Sequence, residues 1–191
     1  DFDPGVGQHL EVAKSRFDFF ILKLDKSGKF QWVKTIGSAG TEKVNSIALD
    51  NSGFLYLTGR FSGTCDFNPN AGISNLSATY ADIFIMKMDT SGRFYWAKSI
   101  GGNAGEEGKQ ITVSGASLYL TGWFVDTVDF DPGVGQSIKI SKNRKWDIFI
   151  LKLDTSGSFK WVRAIGGNDR DYGWSIISDS SEDLYITGQF E

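Results

Sequence analysis

Asp147-Ile-Phe-Ile-Leu-Lys-Leu-Asp154 decides the fold, because it stands in the chain three times, the other copies being Asp82-Ile-Phe-Ile-Met-Lys-Met-Asp89 and Asp18-Phe-Phe-Ile-Leu-Lys-Leu-Asp25. The spacings are 65 and 64 residues. In the first copy Phe19, Ile21 and Lys23 share one face of an extended strand, while Phe20, Leu22 and Leu24 share the other. Two largely apolar faces predict a strand in a sheet that is covered on both sides. Each copy leads into Ser-Gly-x-Phe-x-Trp, with Trp32, Trp96 and Trp161 as the tryptophans. Asp25-Lys-Ser-Gly28 predicts a tight reversal, since Asp accepts backbone hydrogen bonds and Gly takes the left-handed conformation. Phe30 to Ile36 is then the return strand. A second predicted hairpin joins Val44 to Leu49 with Phe54 to Phe61.

Two more phrases repeat. Leu55-Tyr-Leu-Thr-Gly59 returns at Leu118 to Gly122 and, with Ile for Leu, at Leu184 to Gly188. Asp1-Phe-Asp-Pro-Gly5 returns as Asp66-Phe-Asn-Pro-Asn70 and Asp129-Phe-Asp-Pro-Gly133. The chain therefore divides into units 1–65, 66–128 and 129–191, each too small to bury its apolar faces alone. Four strands per unit without helical periodicity predict an all-β protein, a β-propeller segment of four-stranded antiparallel blades with about 64 residues per repeat. A β-solenoid is the competing fold, but its coils are usually far shorter. Blade order begins at the Val44 strand, so the first and last blades are half blades. They are completed by blades of a longer ring or by a second copy, which would give a six-bladed ring. The long connections from Gly59 to Asp82 and from Gly122 to Asp147 predict hairpin ears that run past the blade, one tip being Asp131-Pro-Gly-Val-Gly135.

Composition narrows the function. A net charge of -3 with scattered basic residues argues against a nucleic-acid surface. No run of about 20 apolar residues predicts membrane insertion. The single Cys65 reads as a buried free thiol. The absence of an initiator Met and of a signal-peptide pattern fits a mature piece or fragment.

Several residue sets are candidates for chemistry. Asp1, Asp3, Asp66, Asn68, Asp129 and Asp131 give Asp-x-Asp/Asn spacings at the ear tips, where hard oxygen ligands suit calcium or, equally, an ordinary Asx turn. Glu42, Glu106 and Asp171 recur six residues after Ile36, Ile100 and Ile165 and are placed near a mouth of the central channel, either lining it or accepting backbone bonds. Trp32, Trp96 and Trp161 read as inter-blade packing. Trp123, Trp146 and Trp174 do not repeat, which marks a private ligand surface. Lys23, Lys87 and Lys152 read as strand lysines with solvated tips. His9 is the only histidine and has no equivalent, so a Ser-His-Asp arrangement has no evident place and no enzyme is expected.

The Asp-Ile-Phe-Ile-x-Lys-x-Asp-x-Ser-Gly-x-Phe-x-Trp run, the Leu-Tyr-Leu-Thr-Gly run and the intervening Asp-Phe-Asp-Pro-Gly resemble the β-propeller repeats of secreted bacterial proteins called SBBP repeats, in a variant like that of Bacteroidetes-type surface proteins. The resemblance covers essentially the whole chain. It implies an exported protein, secreted or at the cell surface, in which the propeller is a non-catalytic binding or structural module for other proteins or extracellular glycans. The alternatives are a calcium-dependent lectin-like or carbohydrate-active protein using the channel mouth, and a filament built by blade completion.

Overall fold

The computed structural model describes residues 1–191 apart from Arg16. Alternating apolar patterns produce strands β1 (Phe19–Leu24), β2 (Phe30–Ile36), β3 (Glu42–Leu49), β4 (Phe54–Asp66), β5 (Asn75–Asp89), β6 (Phe94–Gly102), β7 (Glu107–Ser114), β8 (Ser117–Phe124), β9 (Thr127–Asp129), β10 (Ile138–Ile140), β11 (Asp147–Asp154), β12 (Phe159–Ile165), β13 (Tyr172–Ser178) and β14 (Leu184–Gln189). The described residues are all-β and propeller-like. β3-β4-β5-β6 form one four-stranded antiparallel blade, here blade A, and β7-β8-β11-β12 form blade B. β1-β2 and β13-β14 are two-stranded sheets, here called half blades because their sequences match the second and the first hairpin of a blade.

Repeated sequence gives repeated register. Lys23, Lys87 and Lys152 face Trp32, Trp96 and Trp161, and a bulge follows each lysine. The hairpin turns work as predicted: Asp25 Oδ1 accepts the amides of Ser27 (2.8 Å) and Lys29 (3.0 Å), and Gly28 sits at φ 80°. At the equivalent of Gly53 in the last unit the chain places Glu182, which holds a positive φ of 62° without the freedom of glycine.

Blades are riveted to each other through repeated side chains. Lys23 Nζ donates to the Thr90 carbonyl of blade A (2.9 Å), and Lys87 Nζ donates to the Thr155 carbonyl of blade B (3.1 Å). These lysine tips thus reach a neighbouring turn, Lys23 while remaining exposed to water. Trp32 packs beneath Gly92 and Trp96 beneath Gly157, which places the repeated tryptophans at blade junctions. The inner strands also touch: Ile111 N donates to Ser46 Oγ (3.3 Å) and Ile176 N to Gln110 Oε1 (3.0 Å). Behind them, Thr58 Oγ1 donates to the Phe84 carbonyl (2.8 Å) and lies against Gly108, whereas Thr121 Oγ1 donates to the Phe149 carbonyl (2.9 Å) and lies against Gly173.

The ears depart from expectation. In the first, β4 and β5 do run on together, from Gly63↔Ala78 to Asp66↔Asn75. In the second, the chain breaks at Asp126, which has a φ of 62°, and β9 leaves its own blade to pair with β6 at Gly101 and Gly102. Neither ear projects freely, because its phenylalanine is an anchor. Phe67 packs with Phe19, Phe61 and Phe84, and Phe130 packs with Phe124 and Phe149, all at ring separations of 5.0 to 6.4 Å. Both anchors are fully buried, so the hydrophobic gain of sealing an aromatic ring holds each ear against the blades. Cys65 is buried in the same cluster, and its burial pushes the thiol up to about 12, with the Glu42 charge adding to the effect. It is a packing residue in the folded state.

Candidate functional site

When the three units are superposed through the pairs Val44↔Gly59, Gly108↔Gly122 and Gly173↔Gly188, most positions keep their residue type. One set of exceptions lies at the end of the inner hairpin where β3, β7 and β13 begin. There, Lys43, Glu107 and Tyr172 are equivalent, and they pair across the sheet with Arg60, Trp123 and Gln189. Two residues further on stand Asn45, Lys109 and Trp174. The strands that hold these side chains are uniform, while the side chains themselves differ from blade to blade.

They form one strip that crosses the blade junctions. Glu107, almost fully buried, accepts from Lys109 Nζ (2.8 Å), Asn45 Nδ2 (2.8 Å) and Lys43 Nζ (3.1 Å), and Arg60 Nη1 stands 3.7 Å from its second oxygen. Burial opposes the charge of Glu107, but these donors outweigh it and hold the carboxyl below its ordinary range. Lys109 then lies over the Trp174 ring at 5.1 Å. Trp174 stacks on Tyr172 (5.3 Å), Tyr172 meets Trp146 edge to face (5.0 Å), and Trp146 stacks on Trp123 (4.7 Å). Arg170 covers Trp146 at 4.7 Å. The three private tryptophans anticipated from sequence are thus brought into one aromatic ladder, and Tyr172 is the rung that sequence reasoning missed. Trp123 is the buried end of the ladder and Trp174 the exposed one, at 43%.

The repeated acids take a different place. Glu42, Glu106 and Asp171 are buried. Each closes a loop: Glu42 accepts from Ser38 N (3.0 Å) and Ser38 Oγ (2.6 Å), Glu106 from Gly102 N (3.3 Å), and Asp171 from Gly167 N (2.6 Å). Ser38 satisfies both oxygens of Glu42, but its equivalent is Gly102 in the next unit, and Glu106 Oε1 there has no hydrogen-bond partner. Near these acids lie Asp18, Asp82 and Asp147, each with an Oδ1 that also lacks a partner. Burial pushes Asp82 up to about 6 and Glu106 up to about 8, the Asp82 charge adding to the latter. The pair is therefore a proton-holding one at neutral pH.

At the ear tips the acids are engaged with the backbone. Asp66 Oδ1 accepts from Asn68 N (3.0 Å) and Ser74 N (2.8 Å), Asp129 Oδ1 from Asp131 N (3.1 Å) and Ser137 N (2.8 Å), and Asp1 Oδ1 from Asp3 N (3.0 Å) and His9 N (2.9 Å). Asp3, Asn68 and Asp131 each accept from the amide two residues on, at 2.8, 3.0 and 2.8 Å. Among the described residues no group of three or more His, Cys, Asp or Glu is arranged to hold a metal ion. His9 stacks on Phe30 (4.8 Å) and meets Glu11 (3.1 Å), away from the aromatic ladder.

Blades of four antiparallel strands that lean on one another through repeated residues define a propeller-like repeat protein. The chain is similar to an uncharacterized WD repeat-containing protein of Acanthamoeba polyphaga mimivirus, being 26% identical to it over 176 residues. That likeness covers 85% of this chain and 13% of the viral protein's length. No family model matches the chain.

Proposed function

We propose that this chain is a non-catalytic, protein-binding segment of a β-propeller, and that the strip from Lys43 to Trp174 is its contact surface. One observation carries the reading: repeated side chains join the blades, whereas non-repeated ones at the start of the inner strands form a continuous charged and aromatic strip across the junctions. Their composition also fits. Tryptophan, tyrosine and arginine dominate the energetics of protein interfaces, where a rigid ring supplies contact area at little entropic cost. Glu107 fixes Lys43, Arg60 and Lys109 in place, so the polar part of the surface is preorganised. Export to a bacterial surface rests on the resemblance of the Asp-Phe-Asp-Pro-Gly and Asp-Ile-Phe-Ile phrases to SBBP repeats. Extracellular glycans are a second reading, favoured by the exposed ring of Trp174, on which a sugar face could stack.

The test compares the wild-type chain with Trp174→Ala and Trp146→Ala against a panel of purified extracellular proteins and glycans by interferometry, with urea unfolding of each variant as a control. A bound protein that loses about tenfold or more in affinity on Trp174→Ala, at unchanged stability, supports the proposal. Specific partners that bind both variants as they bind the wild type place the contact surface elsewhere and overturn it.

A further inference from the structure

The half blade β1-β2 presents an open strand edge with a cleft of about 600 Å³ beside it, lined by Phe19, Phe20, Glu42, Val44 and Arg60 among others. The same positions elsewhere show what belongs there. Phe20 is 50% exposed, while its equivalents Phe84 and Phe149 are fully buried by β4 and β8. At the other end Phe190 is 86% exposed, while Phe61 and Phe124, its equivalents, are fully buried. The occupant of the β1 edge is therefore a strand of the β4 and β8 type, whichever polypeptide supplies it.

The two completed junctions also show a size requirement. The occupant's Thr58 or Thr121 hydroxyl bonds the strand beside it and fills the space that a side chain at Gly108 or Gly173 would need. A Cβ at those glycines would also stand 3.2 Å from Ile83 and 3.0 Å from Ile148. At the β1 junction the glycine position is Val44, and the position of Ile83 and Ile148 is Phe19. Both are larger, and both line the cleft.

We infer that the strand that completes the β1-β2 half blade carries a residue smaller than threonine at the Thr58 and Thr121 position. A second copy of this chain brings Thr187 there. Val44 and Thr187 then compete for one space, and overpacking of this kind in a sealed junction is destabilising. The edge accordingly selects a repeat with glycine, alanine or serine at that point and discriminates against the chain's own β13-β14 hairpin. The selection acts by exclusion, since the backbone ladder of the edge is the same for both occupants and threonine's extra hydroxyl bond would favour it if space allowed.

The experiment uses the 191-residue chain and two fluorescent hairpin peptides with the sequence of residues 171–191, one unchanged and one with Thr187→Ala. Wild-type chain is expected to bind the Ala peptide about tenfold or more tightly than the Thr peptide, and Val44→Gly is expected to erase or reverse that preference. Light scattering adds an independent readout: Val44→Gly, with or without Phe19→Ile, gives a discrete two-copy ring that the wild type does not form. Equal binding of both peptides by the wild type, a wild-type chain that already forms a discrete dimer, or a folded Val44→Gly chain that keeps the Ala preference would each overturn the inference. Because glycine stands naturally at positions 108 and 173, the variant uses a residue that the fold accommodates there.

Discussion

The Asp82 carboxylate lies directly over the Cα of Gly101, in the space where any side chain at that position would go. The arrangement returns as Asp18 over Gly37 and Asp147 over Gly166. The Ile-Gly corner is glycine at these positions because an acid from the paired strand fills the space, and no positive φ is involved. Gly101→Ala is expected to lower the stability of the chain by about 1–3 kcal/mol, the usual cost of overpacking. In the double variant with Asp82→Ala the loss should fall short of the sum of the single losses; strict additivity in urea unfolding would show that the two residues do not compete.

The Glu106 and Asp82 pair makes stability depend on pH. Their folded values, about 8 and about 6, lie above the ordinary 4.5 and 3.8. The folded chain therefore retains protons that the unfolded chain has released, and the stabilisation present below the ordinary values is lost as pH rises through the folded ones. The urea midpoint should fall across that window and level off above about 8. Glu106→Gln, which cannot ionise, should flatten the upper part of the curve. A wild-type midpoint unchanged between pH 5 and 8 would contradict this.

Glu107 acts with the opposite sign. Held below its ordinary 4.5 by Lys109, Asn45 and Lys43 in spite of burial, it contributes stability above that value and loses it as pH falls through the folded one. Glu107→Gln should cost about 1.5–3 kcal/mol at neutral pH, the range of hydrogen bonds to charged groups, and should remove part of the acid limb. It should also loosen Lys109 over Trp174, measurable as a change in tryptophan emission.

The ear tips contain a natural substitution, because Asn68 makes the bond that Asp3 and Asp131 make. Asp131→Asn should then change stability by less than about 0.5 kcal/mol, whereas Asp131→Ala should cost about 1 kcal/mol. Melting with and without calcium checks the other reading of these acids. A calcium-dependent rise in melting temperature that Asp131→Asn abolishes would favour a cation at the tip over the turn.

The all-β fold and the pairing of strands into hairpins were legible in sequence because they follow from period-two patterning and from phrases that recur with a fixed spacing. The role of Phe67 and Phe130 was not, since one aromatic in a loop reads alike whether it faces solvent or seals a cluster. Trp123, Trp146 and Trp174 could be singled out as non-repeating, but their convergence could not, because Trp146 lies outside the strands that carry the other two. The signal for Tyr172, Glu107 and Lys109 lies in the differences among units, which a recurring phrase does not contain. Asp18, Asp82 and Asp147 open the repeated phrase, yet their burial depends on the opposing glycine corner, a contact between strands that no single phrase contains.

The pairing of β9 with Gly101 and Gly102 gives the molecule a direction in time. During synthesis the outer edge of blade A stays open until Thr127–Asp129 have emerged, so this blade is finished by chain made after the first two strands of blade B. The two blades therefore overlap in the chain like tiles, the inner half of one being made before the edge of the other is covered. Cutting the chain between β8 and β9 would leave blade A with all four of its strands and an unroofed edge.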